Sequence, residues 1–162
     1  MSADDASITT AWVIRHASAG DRAKWRGDDR LRPLDDRGLR QARSLQAALT
    51  PNEIGRARSV LSSAYVRCRQ TVEPLGAALG LELVDEPALA EGGALRATLQ
   101  LLRRCGDAVL CTHGDIVADL VLHLVGRGLV EESDARWPKA STWVIEQVGG
   151  RFSGARYVPP PG

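Results

Sequence analysis

The sequence predicts one α/β domain, a three-layer sandwich in which helices flank a mostly parallel sheet. Short apolar runs rich in β-branched residues alternate along the chain with segments of helical periodicity. Strands that alternate with helices favour a parallel sheet covered on both faces. The 162 residues, 44% of them apolar, are enough for one core and show no linker. We therefore expect a single domain over residues 1–162, with loose ends at about 1–7 and 158–162.

Five segments have the composition of buried strands. The first, at about Thr9 to Ile14, is apolar through Trp12, Val13 and Ile14 and is followed by Arg15, His16 and the small residues Ala-Ser-Ala-Gly. The other four lie at about Ser59 to Ser62, Leu81 to Val84, Ala108 to Thr112 and Thr142 to Val148.

Four helices are predicted between these strands. In the first, which follows Pro33, an apolar face recurs behind a possible cap at Asp35 or Asp36. That face consists of Leu39, Ala42, Leu45 and Leu49. The others should cover about Val66 to Leu79 closed by Gly80, about Ala94 to Arg103, and about Ile116 to Val125 closed by Gly126.

The charge balance excludes a strong general attraction to polyanions. The chain carries 21 Lys and Arg against 20 Asp and Glu, a formal net charge of +1, so neither a nucleic acid polymer nor a membrane is expected as partner. The Arg-rich segment from Arg22 to Arg43 is interleaved with aspartates, a pattern typical of a self-compensating surface.

The three cysteines indicate a reduced protein. Cys68, Cys105 and Cys111 are an odd number without metal-site spacing, and neither a signal peptide nor a long apolar span is evident in the sequence. We therefore expect a cytoplasmic protein without a metal or other cofactor.

Polar residues follow three of the predicted strands at the point where each strand ends. Arg15 and His16 end the first strand, His113, Gly114 and Asp115 follow the strand "AVLCT", and Arg67 follows the strand at 59–62. Ligands of such sheets bind outside the carboxyl ends of the strands, so these side chains should share one site.

Two arginines and two histidines at one sheet edge favour a phosphate ligand over a metal ion. Guanidinium repels cations but pairs with phosphate oxygens through a planar fork of donors. An unprotonated histidine can then act as a nucleophile on phosphorus. A Cys-based phosphatase is excluded, because the residues six positions after the cysteines are Pro74, Cys111 and Val117 rather than arginine. GxxxxGK[ST] and strand-linked GxGxxG motifs are absent from the sequence.

Three segments in this order resemble the histidine phosphatase superfamily, also called phosphoglycerate mutase-like. They are "RHASAG", "SSAYVRCRQT" and "CTHGD", against a family pattern of Arg-His on the first strand, S-P-x-x-R-x-x-Q-T, and a later His-Gly. Ala64 stands where the family usually has proline, a change in turn stiffness rather than chemistry. The stretch "AGDRAKWRGDDRLRPLDDRGLRQA" further resembles the short SixA-type phosphohistidine phosphatases and the related modules fused to some Nudix hydrolases.

The resemblance implies a role for each of these residues. His16 would be the nucleophile, Arg15, Arg67 and His113 would hold the phosphoryl oxygens, and Glu91 is the best candidate for a general acid. The predicted substrate contacts are Ser18, Arg22, Gly114 and Asp115. His123 lies four residues after Asp119 on the predicted fourth helix and is interpreted as part of a polar stripe.

The substrate prediction depends on Glu91. A phosphohistidine protein has a labile P–N bond and needs little acid catalysis, whereas a small phosphate ester or nucleotide benefits from an acid at Glu91. Mutase activity is disfavoured, because the stretches Thr71 to Glu91 and Glu91 to His113 leave little room for segments that close over a bisphosphate. A non-catalytic phosphate-binding protein is the remaining alternative, and the complete set of site residues argues against it.

Overall fold

The computed structural model describes residues 7–49 and 51–162, which form a six-stranded sheet with helices on both faces. The strands are β1 (Ile8–Arg15), β2 (Ser59–Ser62), β3 (Leu83–Asp85), β4 (Ala108–Thr112), β5 (Thr142–Val148) and β6 (Arg151–Val158). The helices are α1 (Asp36–Ala48), α2 (Pro51–Ile54), α3 (Val66–Leu79), α4 (Leu95–Arg104) and α5 (Gly114–Gly126). Within the described residues, no helix has the length and apolarity needed to cross a membrane. Most of the predicted N-terminal loose end, residues 1–6, lies outside the described residues.

The sheet is mixed but mostly parallel, as predicted. Its strand order is β3-β2-β4-β1-β5-β6. The first four strands are parallel to one another, and β5 pairs antiparallel with both β1 and β6. β1 lies between β4 and β5, and β4 lies between β2 and β1. The carboxyl ends of β1, β2 and β4 therefore meet side by side at one edge of the sheet.

Two apolar cores, one on each face of the sheet, confirm the three-layer architecture. Along β1 the side chains alternate between the cores, with Val13 on one side and Trp12 and Ile14 on the other. Val13 packs in the core that contains Leu102 and Leu120 from α4 and α5. The opposite core contains Leu45 of α1, Leu49 directly after α1, and Val72 and Leu75 of α3. All five residues of β4 are buried, as expected for a strand covered on both faces.

The predicted helix ends are mostly confirmed. Asp35 caps α1 by accepting a hydrogen bond from the Gly38 backbone N–H at 2.8 Å, and Gly80 ends α3 in the left-handed conformation at φ 70°. The predicted closure at Gly126 is wrong, because α5 runs through Gly126 and the left-handed residue is Gly128, at φ 74°.

The strand β6 was not predicted from the sequence. Gly149 and Gly150, at φ 57° and 77°, form a tight turn that brings β6 antiparallel to β5. Val158, predicted to begin the C-terminal loose end, is instead the last residue of β6 and pairs with Thr142. The segment "RFSGARYV" has a low apolar content, because every second residue is polar or small, and it therefore lacks the composition of a buried strand. The feature that indicates a hairpin here is the Gly-Gly pair before it.

Candidate active site

His16 follows β1 directly and is held in one ring orientation. Its backbone N–H donates to the Thr112 carbonyl at 2.9 Å, which ties it to the end of β4, and only 5% of the residue is exposed. The ring Nδ1 lies 2.8 Å from the Ala17 carbonyl oxygen, which can only accept, so Nδ1 carries the proton. The lone pair is therefore on Nε2.

The environment keeps His16 unprotonated. Burial lowers the pKa of His16 from its ordinary value to about 3. The hydrogen bond to Ala17 opposes this shift, and the nearby His113, Arg67 and Arg15 lower the pKa further. A neutral imidazole with a free Nε2 has the protonation state that a nucleophile requires.

Arg15 is positioned by backbone contacts on two sides. Its Nη1 donates to the Trp137 carbonyl at 2.9 Å. Its guanidinium packs against Gly114, where a Cβ atom would lie 2.7 Å from Arg15 Cζ. Gly114 was predicted to contact substrate. It does line the cleft described below, and the structure adds that a glycine there leaves the space that Arg15 occupies.

Arg67 lies in the first turn of α3 and is completely buried. Its Nη1 donates to the Asp29 backbone carbonyl at 2.7 Å, and its Nη2 donates to Asp29 Oδ2 at 3.0 Å and Glu91 Oε2 at 3.4 Å. The guanidinium also lies 4.9 Å from the centre of the Tyr65 ring. Asp29 was interpreted as part of a self-compensating surface, but it holds the buried arginine in place.

His113 immediately precedes α5 and is 1% exposed. Its Nε2 lies 2.9 Å from Ser63 Oγ, and its ring centre is 5.5 Å from that of His16 and 4.6 Å from that of Tyr65. When the Ser63 hydroxyl donates to Nε2, the proton of the neutral ring is on Nδ1. The structure thus brings together all four residues predicted to act on the phosphoryl group.

Several donors of these residues have no protein partner. Within the described part of the chain, five buried side-chain nitrogen or oxygen atoms lack a hydrogen-bond partner, and three of them are Arg15 Nε, Arg67 Nε and His113 Nδ1. Buried polar groups are normally paired, so a cluster of orphaned donors indicates a site for a ligand rich in acceptors. A phosphoryl group has that chemistry.

A cleft of about 650 Å³ opens beside His16. Its wall includes five predicted site residues besides Gly114, namely Arg15, His16, Arg22, Glu91 and Asp115. Arg22 and Glu91 form an ion pair across the cleft wall, with Nη2 and Oε1 2.6 Å apart. Glu91, the candidate general acid, therefore lies on the wall of the cleft that opens beside His16.

Ser18 and Asp115, both predicted to contact substrate, make specific protein contacts. The Ser18 hydroxyl donates to Asp35 Oδ2 at 2.7 Å, which holds the loop after His16 to the start of α1, and Ser18 is not part of the cleft wall. Asp115 Oδ2 accepts from the Gly92 backbone N–H at 2.8 Å. Asp115 thereby fixes the loop that carries Glu91.

The "QT" of the second motif connects it to the loop after His16. Thr71 Oγ1 accepts from the Ala17 backbone N–H at 2.9 Å and donates to the Arg67 carbonyl at 2.7 Å. Gln70 Oε1 accepts from the Leu34 backbone N–H at 2.8 Å. The motif therefore positions His16 and Arg67 relative to one another through α3.

Six residues of the cleft wall were not predicted as site residues: Gly20, Asp21, Arg32, Ala118, Trp137 and Lys139. Arg32 lies in the segment interpreted as surface, yet it is 5% exposed. Their position follows from long-range packing of the loops, which local sequence patterns do not encode.

The Arg-His pair at the carboxyl end of β1, the buried Arg67 on α3 and His113 before α5 form a site with the chemistry to hold a phosphoryl group. Residues 11–98 match the histidine phosphatase superfamily (branch 1). The chain belongs to this superfamily, which confirms the resemblance seen in the motifs.

Individual relatives agree with this assignment. The chain is 37% identical to an 8-oxo-(d)GTP phosphatase of Mycolicibacterium smegmatis over 159 residues, covering 94% of this chain and 48% of the relative. The chain thus spans about half the length of that protein. The family match supports a phosphatase enzyme, and the activity of the relative is that of a protein about twice as long.

Solved structures share the fold. A protein histidine phosphatase SixA complexed with tungstate has a TM-score of 0.76 at 21% identity, covering 93% of this chain and 97% of that one. A phosphoglycerate mutase from Bacillus anthracis has a TM-score of 0.65 at 14% identity, covering 97% and 94%. At these sequence identities the structural similarity shows the α/β fold and does not assign a substrate to this chain.

Proposed function

We propose that this domain is a phosphatase that hydrolyses small phosphate esters or nucleotides through a phosphohistidine at His16. The observation that carries the proposal is the His16 ring, whose Nδ1 is bonded to the Ala17 carbonyl so that Nε2 is free at the edge of the cleft. A pKa of about 3 leaves that nitrogen unprotonated at neutral pH.

The reaction proceeds in two steps. His16 Nε2 attacks phosphorus, a P–N bond forms, and the P–O bond to the leaving group breaks with its electron pair on the leaving oxygen. Arg15, Arg67 and His113 donate to the three phosphoryl oxygens and balance the charge on them. Water then attacks phosphorus, a P–O bond forms, and the P–N bond breaks with its electron pair on His16 Nε2. The proton of the water passes to the Glu91 carboxylate left by the first step, so that inorganic phosphate leaves and the neutral His16 is restored.

Glu91 supports small esters or nucleotides over a phosphohistidine protein. It lies on the cleft wall, and when a phosphate replaces it as the partner of Arg22, a protonated Glu91 can donate to the leaving oxygen. An alcohol leaving group needs that proton more than an imidazole does. The similarity to an 8-oxo-(d)GTP phosphatase supports the nucleotide class. A phosphohistidine protein stays the competing substrate.

The test of the mechanism is to trap the intermediate. After rapid quenching in alkali, in which phosphohistidine survives, the intact protein should gain one phosphoryl group that maps to His16. The His16→Ala variant should lose both the label and the turnover of p-nitrophenyl phosphate. His123→Ala is the matched control, because His123 lies far along α5 and its ring contacts Phe152. Full activity of the His16→Ala variant would refute the mechanism.

The test of the substrate class uses three leaving groups. Glu91→Gln should slow an alkyl phosphate by about 10²-fold, within the usual range for general acid catalysis, and p-nitrophenyl phosphate far less. Selective turnover of a phosphohistidine protein, with no effect of Glu91→Gln, would assign the domain to that class instead.

Turnover should be unchanged by EDTA, and a loss restored by a divalent ion would contradict a metal-free reaction. If no probe shows turnover that depends on His16, the domain is a phosphate-binding protein.

A further inference from the structure

The cations on the cleft wall differ in whether a carboxylate neutralises them. Arg22 pairs with Glu91 at 2.6 Å, and Arg32 pairs with Asp29 at 2.9 Å. Among the described residues, neither Arg15 nor Lys139 has a carboxylate oxygen within 4.0 Å, the limit for an ion pair. The mechanism above uses Arg15 for the transferred phosphoryl group and leaves Lys139 without a function.

The loop that carries Lys139 is fixed against the nucleophile. The Ala140 backbone N–H lies 3.0 Å from the Arg15 carbonyl and 3.2 Å from the His16 carbonyl, and the Arg15 N–H donates to the Ser141 carbonyl at 3.1 Å. Ala140 has φ 66°, a left-handed conformation that costs a residue other than glycine roughly 1 kcal/mol or more. Such strain persists only where surrounding contacts impose it, so the position of Lys139 beside His16 is built into the fold.

Lys139 faces a neighbourhood of like charge. Burial lowers the pKa of the Lys139 ammonium, and the charges of Arg15, Arg32 and Arg67 lower it further, against a smaller effect of Asp35 in the opposite direction. An ammonium among guanidinium groups is unfavourable unless an anion joins them. This repulsion is relieved when a substrate brings several negative charges into the cleft.

Arg32 lines the same cleft as Lys139. Its Nε is bonded to Asp29 and its Nη1 donates to the Ala19 carbonyl at 2.6 Å, which fixes the guanidinium plane. Its Nη2 has no protein partner within residues 7–49 and 51–162. A fixed guanidinium with an unused donor and an ammonium on one wall can together bind an anionic group.

We infer that Lys139 and Arg32 form a second phosphate subsite, which holds the phosphate directly attached to the one that His16 accepts. The inference rests on the proposed function, and it assigns the substrate class as phosphoanhydrides, nucleoside di- or triphosphates included. His16 takes the terminal phosphoryl group, the bond from its phosphorus to the bridging oxygen breaks, and the shortened phosphate leaves with the electron pair. Lys139 and Arg32 stabilise the charge that appears on this leaving phosphate.

Binding tests the subsite independently of turnover. Calorimetry should show that Lys139→Ala weakens imidodiphosphate about tenfold or more, as expected for one charge-assisted contact, and orthophosphate less than about twofold. Lys139→Arg should retain most of the preference for imidodiphosphate over orthophosphate. Lys24→Ala is the matched control, because Lys24 is the chain's only other lysine and is exposed outside the cleft wall.

Turnover gives the second measurement. Lys139→Ala should lower kcat/KM for a nucleoside diphosphate about tenfold more than for the corresponding monophosphate. Equal losses for both substrates, or the same change in Lys24→Ala, would overturn the subsite while leaving the proposed phosphatase intact. Conversely, selective loss of imidodiphosphate binding without any turnover that depends on His16 would support the subsite and refute the phosphatase. Equal binding of imidodiphosphate by the wild type and Lys139→Ala would refute the subsite whatever the turnover.

Discussion

The buried inner side of the site, which reaches the cleft wall at His16, and the exposed outer side, which forms part of that wall, are held in place in different ways. On the inner side, Arg67, His113 and His16 are at most 5% exposed and are fixed largely by strand ends, backbone carbonyls and a buried helix turn. On the outer side, the Arg22 side chain is 60% exposed and the Glu91 side chain 30%, and the two are joined mainly by their own ion pair. The inner geometry is thus a property of the core, whereas the outer geometry depends on solvent and salt.

The largest expected effect is on the inner side. Arg67→Ala should lower kcat by about 10³-fold, the cost of removing a preorganised donor from a phosphoryl transition state. It should also lower the free energy of unfolding by about 1–3 kcal/mol, because the hydrogen bonds from Arg67 to Asp29 are lost while Asp29 keeps its pair with Arg32. Kinetics with p-nitrophenyl phosphate and urea unfolding check both effects. Arg67→Lys, which keeps the charge, should recover stability more than activity, and full activity in either variant would contradict the inner-side assignment.

Gly114→Ala probes the packing of Arg15 without touching a charged group. A Cβ atom 2.7 Å from Arg15 Cζ must displace the guanidinium, and a misplacement of about 1 Å can cost about 10²-fold in kcat/KM. Gly126→Ala is the control, because nothing lies within 4 Å of a Cβ at that helical position. The prediction fails if both variants have the kinetics of the wild type.

The buried neutral His16 should make stability depend on pH. Its pKa is about 3 when folded and 6.5 ordinarily, so the unfolded chain binds one more proton as pH falls below 6.5. This contribution to stability is complete above pH 6.5 and declines from there toward pH 3. Between pH 6.5 and 5 the wild type should lose about 2 kcal/mol more unfolding free energy than His16→Asn. The prediction is contradicted if the unfolding free energies of the two proteins, measured by urea unfolding at each pH, change equally with pH.

The smallest expected effect is on the outer side. Arg22→Gln should raise KM for a small phosphate ester about two- to fivefold at low salt, because exposed pairs contribute about 0.2–1 kcal/mol. The difference from the wild type should shrink at 0.5 M salt. Arg26→Gln, also exposed, has no carboxylate partner among the described ion pairs and serves as control. An effect as large as that of Arg67→Ala would mean that both sides of the cleft are equally fixed.

The same contrast explains what could be predicted from sequence. Arg15, His16, Arg67 and His113 sit at strand ends or in the first helix turn, and periodicity plus the rule for ligands at parallel sheets predicts that they meet. Asp29, Arg32 and Lys139 lie outside the strands and α-helices. The Arg-Asp pattern around Asp29 and Arg32 looks like any solvated surface, and nothing in the sequence around Lys139 indicates that it lines the cleft. β6 was missed for a related reason, since an edge strand with alternating polar residues has little apolar signal.

The strand order also determines when the site can form during folding. Ala11 on β1 pairs with Ala108 on β4, and β4 pairs in turn with β2, so the neighbours in the sheet come from distant parts of the chain. Such a topology has high contact order, and its ends meet late because long loops must close first. Arg15, Arg67 and His113 are therefore assembled by the same pairing events that complete the central sheet. In a refolding experiment, the rate at which turnover recovers would measure the completion of the central sheet. The far-UV circular dichroism of the helices would report earlier steps of folding.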